Sequence, residues 1–156
     1  MIVFRIAPKS RIEDLSGTGA RLYGGRWNKK GVPLVYTSES RALAIVEFLV
    51  HVPLSLVPGK LCIATISLPG DIAPIELPIS GLPKNWRDFP APAKLAEIGT
   101  RWAISKESLL LRVPSAAVDE EFNILINPAH PDMKHVIFLG LKDTKLGERF
   151  ARKRQL

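Results

Sequence analysis

The chain has 156 residues, enough for one domain with a real core, and no apolar run approaches the roughly 20 residues of a membrane helix. Its single cysteine, Cys62, excludes an internal disulfide and fits a reducing cytoplasm, and one cysteine with three histidines at no metal spacing points to no metal site. The net charge is +7, but residues 142–156 supply +4 of it. Phe150 is the sole aromatic interleaved with that basic tail, so no stacking platform for nucleic acid is evident and a solvated tail is expected. An acidic partner or a phosphate-bearing small molecule suits the charge equally well.

Met1 to Ile6 is β-rich and reads as a first strand, not a signal peptide. Residues 7–25 are polar with Gly17, Gly19, Gly24 and Gly25, and read as a loop. Pro33 to Thr37 reads as a short strand. Ser38 then offers an N-cap for a helix over Arg41 to His51, closed by Pro53. Lys60 to Leu68 is another strand, ended by Pro69-Gly70. The proline-rich stretch 71–92 is irregular, with Trp86 and Phe89 as expected anchors. A helix over Ala93 to Ile104 and a strand over Ser108 to Val113 follow. Glu120 to Asn127 leads into a turn over Pro128–Pro131, and His135 to Leu141 forms the last apolar strand. Short strands with few helices, out of βαβ alternation, predict a single compact α+β domain over residues 1–141, with 142–156 as a basic C-terminal strand or tail. Rossmann, Walker and G-x-S-x-G signatures are absent from the sequence.

One carboxylate stands out. From Ala42 to Val50 every residue is apolar except Glu47, and a buried, unpaired carboxylate is costly. On a helix its neighbours are Leu43, Ala44 and His51, with Ser40 further down that face. His51 either pairs with Glu47 or caps the last carbonyls. Arg26 follows two glycines, where the backbone can approach a ligand closely and a guanidinium can grip a phosphate or carboxylate. Trp27 can stack on a ligand or anchor the core, Asn28 can bond its own turn, and Tyr36 stands near a strand end where it can face Glu47 across a cleft. A second polar cluster contains Ser115, Asn123, Asn127 and His130; turn chemistry accounts for Asn127-Pro128.

These residues together resemble the RES domain, the toxin half of RES–Xre toxin–antitoxin pairs. The resemblance rests on GGRWNKKG, on VYTS followed by the A-x-x-E-x-x-x-H helix (Ala44, Glu47, His51), and on VPSAAV with NILINPAHP. The chain departs at its end, LKDTKLGERFARKRQL, from the Phe-Asp-x-Arg-like strand that members commonly carry. The resemblance implies a fold similar to ADP-ribosyltransferases, with a central cleft for NAD⁺ as substrate and no prosthetic group. It implies catalytic roles for Glu47, Arg26, Tyr36 and Ser115. Glu47 would stabilise a ribosyl cation, Tyr36 would pack on nicotinamide, Arg26 would hold the pyrophosphate or neighbouring ribose, and Ser115 would orient the ribose or carboxamide. Trp27, Asn28, Ser38, His51 and Asn127 would help to bind the dinucleotide. It further implies an Xre-type helix-turn-helix antitoxin that blocks the cleft and carries the DNA binding, with NAD⁺ cleaved by water or phosphate. The alternatives are ADP-ribosyl transfer to a cellular protein and, lowest, a non-enzymatic basic nucleic-acid-binding module.

Overall fold

Among the described residues, runs of aliphatic and β-branched residues form seven strands: β1 (Ile2–Pro8), β2 (Val35–Ser38), β3 (Leu61–Ser67), β4 (Ile75–Glu76), β5 (Leu110–Pro114), β6 (Phe122–Ile126) and β7 (Ile137–Asp143). Three α-helices accompany them among the described residues: α1 (Thr18–Tyr23), α2 (Arg41–His51) and α3 (Ala93–Ser105). The computed structural model describes residues 1–53, 56 and 60–146. The strands make one sheet in the order β4-β5-β6-β2-β1-β3-β7. Every neighbouring pair is antiparallel except β4 with β5. The expected single α+β domain is the one found.

Strand alternation sorts the apolar residues onto two faces. Leu110, Ile124 and Ile126 join one core cluster, roofed by loop residues such as Ile12 and Leu68. Leu111, Val113 and Leu125 face the other way, against Trp27, Leu95 and Trp102. Register then places polar groups on this second face. Val113 is opposite Asn123, Asn123 opposite Ser38, and Ser38 opposite Phe4, so the four form one rung across β5, β6, β2 and β1. The next rung on the same face is Leu111–Leu125–Tyr36. Helix α2 lies over the β1 end of this face, with the Arg41 guanidinium 4.3 Å from the Phe4 ring centroid.

Several expected boundaries move, each for a visible reason. The N-cap of α2 is Ser40, whose Oγ accepts from Leu43 N at 3.0 Å, and not Ser38. Ser38 stays in β2, held between Phe4 and Asn123. The apolar run of α2 is also less covered than its composition predicts: Leu43 and Ala44 are its buried residues, and Val50 is 58% exposed. The loop expected over 7–25 contains α1, bracketed by Gly17 and Gly24 with φ near +70°. Gly17 is required there, because a Cβ would stand 2.7 Å from Leu34 N. Trp86 is buried as expected, but Phe89 is 79% exposed and anchors nothing in the core. The last strand runs past Leu141 to Asp143, and Thr144 N still bonds Leu61 O at 2.8 Å, so the boundary drawn at 141 falls inside the sheet. Residues 147–156 of the expected tail lie outside the described residues.

Helix α3 props the turn that carries Arg26. Its Gly99 lies so close to that turn that a Cβ would stand 1.9 Å from Trp27 O, and the Thr100 hydroxyl accepts from Lys29 N at 2.9 Å. Because the clash is with backbone, it cannot be relieved by a rotamer change. Gly99→Ala is expected to destabilise the fold by about 2–3 kcal/mol despite alanine's better helix propensity; urea unfolding of the two proteins measures it.

Candidate active site

The second face of the sheet is hollowed between α2 and the turn after α1, leaving a cavity of about 690 Å³. That lies within the roughly 300–1,000 Å³ of small-molecule sites. Its walls come from β1, β2, α2, the Gly24–Trp27 turn and the Phe89–Ala91 segment, with Asn123 at its edge. Tyr23 and Phe89 also line it, and they are 72% and 79% exposed, so they stand at the mouth.

Glu47 reaches this cavity from α2 with its side chain 19% exposed. Its Oε1 accepts from Ser115 Oγ at 2.6 Å and from Asn123 Nδ2 at 2.7 Å. Its Oε2 lies 3.4 Å from His51 Nε2, one turn along the helix. Burial pushes the carboxyl pKa up, but the hydrogen bonds from His51, Ser115 and Asn123 outweigh it and leave the net shift downward. The carboxylate is therefore ionised at neutral pH.

Arg26 stands on the opposite wall. It donates to Trp86 O at 2.7 Å and to Asp88 O at 3.2 Å, which ties the turn to the segment leading into Phe89. Its Nε is buried without a hydrogen-bond partner among the described residues. Burial lowers its pKa, while Glu47 and then Tyr36 act to raise it. The guanidinium expected to grip a phosphate thus already spends two nitrogens on backbone carbonyls.

Tyr36 and Asn28 knot the turn together. The Tyr36 hydroxyl accepts from Trp27 N at 3.0 Å and donates to Asn28 Oδ1 at 2.6 Å. Asn28 Nδ2 donates to the carbonyls of Ala20, Lys29 and Val32. Gly25 is needed beside them, since a Cβ would come 2.6 Å from the Tyr36 hydroxyl. Burial pushes the Tyr36 pKa well up, so its hydroxyl stays protonated. Its ring lines the cavity, as do Trp27, Ser38 and His51.

Three expected contacts are placed differently. Asn28 is 1% exposed and does not line the cavity, because its amide is consumed inside the turn. Ser115 is equally buried and outside the lining; its proton goes to Glu47, so it holds the carboxylate. Asn127 sits at the far end of β6 from Asn123, where its Nδ2 donates to Ala103 O at 2.9 Å and its Oδ1 accepts from Ala129 N. It shapes the Pro128 turn, away from the cavity. The polar cluster named Asn123 without placing it in the site. Asn123 is an asparagine inside a strand, a disfavoured place that signals a role. Arg5 borders the cavity from β1, but its position opposite Ala64 puts its side chain on the other face, where it donates to the carbonyls of Ile12 and Asp14. It is a lone charge in IVFRIA, the same signal that singled out Glu47.

Among the described residues no group of three His, Cys, Asp or Glu side chains is placed to hold a metal, and no helix is long and apolar enough to cross a membrane.

Residues 2–145 match the family model described as the RES domain, and the chain belongs to that family. It is 44% identical over 138 residues to a protein of Sphingobium sp. (strain YBL2) named Prs ADP-ribosylating toxin, covering 85% of this chain and 86% of that one. It is 39% identical over 131 residues to a Toxin Res of Yersinia enterocolitica, covering 83% and 86%. In three dimensions it resembles a chain of the M. tuberculosis MbcT–MbcA toxin–antitoxin complex, with a TM-score of 0.76 at 19% identity over 95% of this chain and 87% of that one.

Two outcomes are expected from this geometry. Tyr36→Phe strands the buried Asn28 Oδ1 and Trp27 N, and should cost about 2 kcal/mol in urea unfolding. Glu47 has a folded-state pKa below its unfolded value, so its contribution is fully present above about pH 4.3 and lost as pH falls through the folded value. The stability advantage of wild type over Glu47→Gln should therefore hold from about pH 7 to about pH 5 and shrink as pH falls below about 4, as measured by unfolding across that range.

Proposed function

We propose that this protein is the toxin of a toxin–antitoxin pair and that its cavity cleaves the nicotinamide–ribose bond of NAD⁺ in the cytoplasm. The observation that carries this reading is an ionised Glu47 held by three side chains at the edge of a cavity that also holds Arg26 and a tyrosine ring. Breaking the bond sends its electron pair to nicotinamide and leaves an oxocarbenium-like ribose. A fixed carboxylate beside that carbon stabilises the developing charge more than it stabilises the ground state. The Tyr36 ring supplies a flat wall for the leaving base, and Arg26 supplies positive charge for the pyrophosphate. Capture by water gives ADP-ribose and a proton; capture by phosphate gives the ribosyl phosphate.

A second reading, transfer of the ADP-ribosyl group to a protein side chain, is favoured by the name of the Sphingobium relative. The partner in either case is an Xre-type antitoxin that covers the mouth at Tyr23 and Phe89; the structural neighbour is itself part of a toxin–antitoxin complex.

Incubation of the purified protein with NAD⁺, with and without phosphate and candidate acceptor protein, separates the readings. Release of nicotinamide with soluble ADP-ribose or its phosphate supports cleavage, whereas label retained on protein supports transfer. Glu47→Gln should slow either by roughly a hundredfold or more. Undiminished turnover in the folded variant would remove Glu47 from the chemistry.

A further inference from the structure

We infer that Asn123, oriented by Ser38, is a positioning residue that keeps Glu47 ionised and leaves Oε2 as its working oxygen. The argument is one of hydrogen-bond direction. Ser115 Oγ accepts from both Ala117 N at 3.1 Å and Val118 N at 3.0 Å, so its two lone pairs are filled. Its one proton is left for Glu47 Oε1, 2.6 Å away. On the other side, Ser38 Oγ lies 2.6 Å from Asn123 Oδ1, an atom that can only accept. Ser38 therefore donates, which turns the amide so that Nδ2 faces Glu47 Oε1 at 2.7 Å. Both groups that meet Oε1 are donors and neither has a lone pair free to receive a proton from it. Oε1 is saturated by the protein, and Oε2, which meets His51 Nε2 at 3.4 Å, keeps a lone pair for a ligand.

The sheet builds this polarity into its register. Ser38 and Asn123 are directly opposite on β2 and β6, a separation that brings short side chains into contact. A slip of one residue would send Asn123 to the far face. The titratable groups that face Glu47 are His51 on its own helix and Arg26 on the opposite wall. Neither touches Oε1, so the state of that oxygen rests on Asn123 and Ser115. What the working oxygen does to a ribosyl cation rests on the function proposed above; its ionisation and selection do not.

Asn123→Asp tests the inference with almost no change of shape. It replaces the donor by an oxygen facing Oε1, and two carboxylates in one site share a proton. The Glu47 titration, followed by carboxyl carbon NMR on the protein without NAD⁺, should rise by roughly one unit or more, a tenfold or larger change in proton affinity. The acidic limb of kcat against pH for NAD⁺ should move up with it, while KM changes far less. Ser38→Ala frees the amide to turn and should shift the same titration upward by less. An unshifted Glu47 in folded Asn123→Asp overturns the inference. If that variant does not fold, Ser38→Ala carries the test, and an unshifted Glu47 there overturns it. A shifted titration in a protein that never turns over NAD⁺ supports the inference and defeats the proposed substrate instead.

Discussion

The Glu47 carboxylate is the constraint on which the site depends. A charge mostly removed from water must find donors or lose its proton. Here the donors come from the strand β6 and the loop after β5, with His51 on α2 itself. The helix is therefore tied to the sheet through its one charged interior residue, at the point where its apolar face leaves the β1 end of the sheet. That tie leaves open the space beside it, and the cavity is that space.

The opposite wall is built on a different principle. The turn from Gly24 to Asn28 contributes little apolar mass beyond Trp27, and hydrogen bonds hold it: the Tyr36 hydroxyl and the Asn28 amide satisfy its backbone. Close approach at Gly25 and Gly99 lets those bonds form. Arg26 extends the same arrangement outward, fastening the segment before Phe89 through two carbonyls.

Much of this was legible in the residues. The strands over 61–67 and 35–38, the helix over 41–51 and the helix over 93–105 follow from local periodicity, because each is a run whose pattern matches one backbone period. Glu47 was legible because a lone carboxylate in an oily run demands an explanation. The same rule applied to Arg5 finds a guanidinium that serves the carbonyls of Ile12 and Asp14 on the other face of the sheet. The cap of α2 was not legible: Ser38 and Ser40 are equivalent cap residues by type, and the pairing of Ser38 with Asn123 separated them. Phe89 was misread because burial was inferred from hydrophobicity, and surfaces retain apolar side chains.

The sequence by itself determined the α+β class, the local elements and, through resemblance of its ordered motifs, the RES family, since these rest on patterns contained in short stretches. Tertiary structure alone decided which polar residues share a site. Asn28 and Asn127 were drawn into turns, Ser115 was turned from a ligand contact into a support for Glu47, and Asn123 was brought in. The physical reason is that a hydrogen-bonding side chain serves whichever partner the register places beside it. That register is set by strand pairings between residues far apart in the chain, such as Ser38 with Asn123.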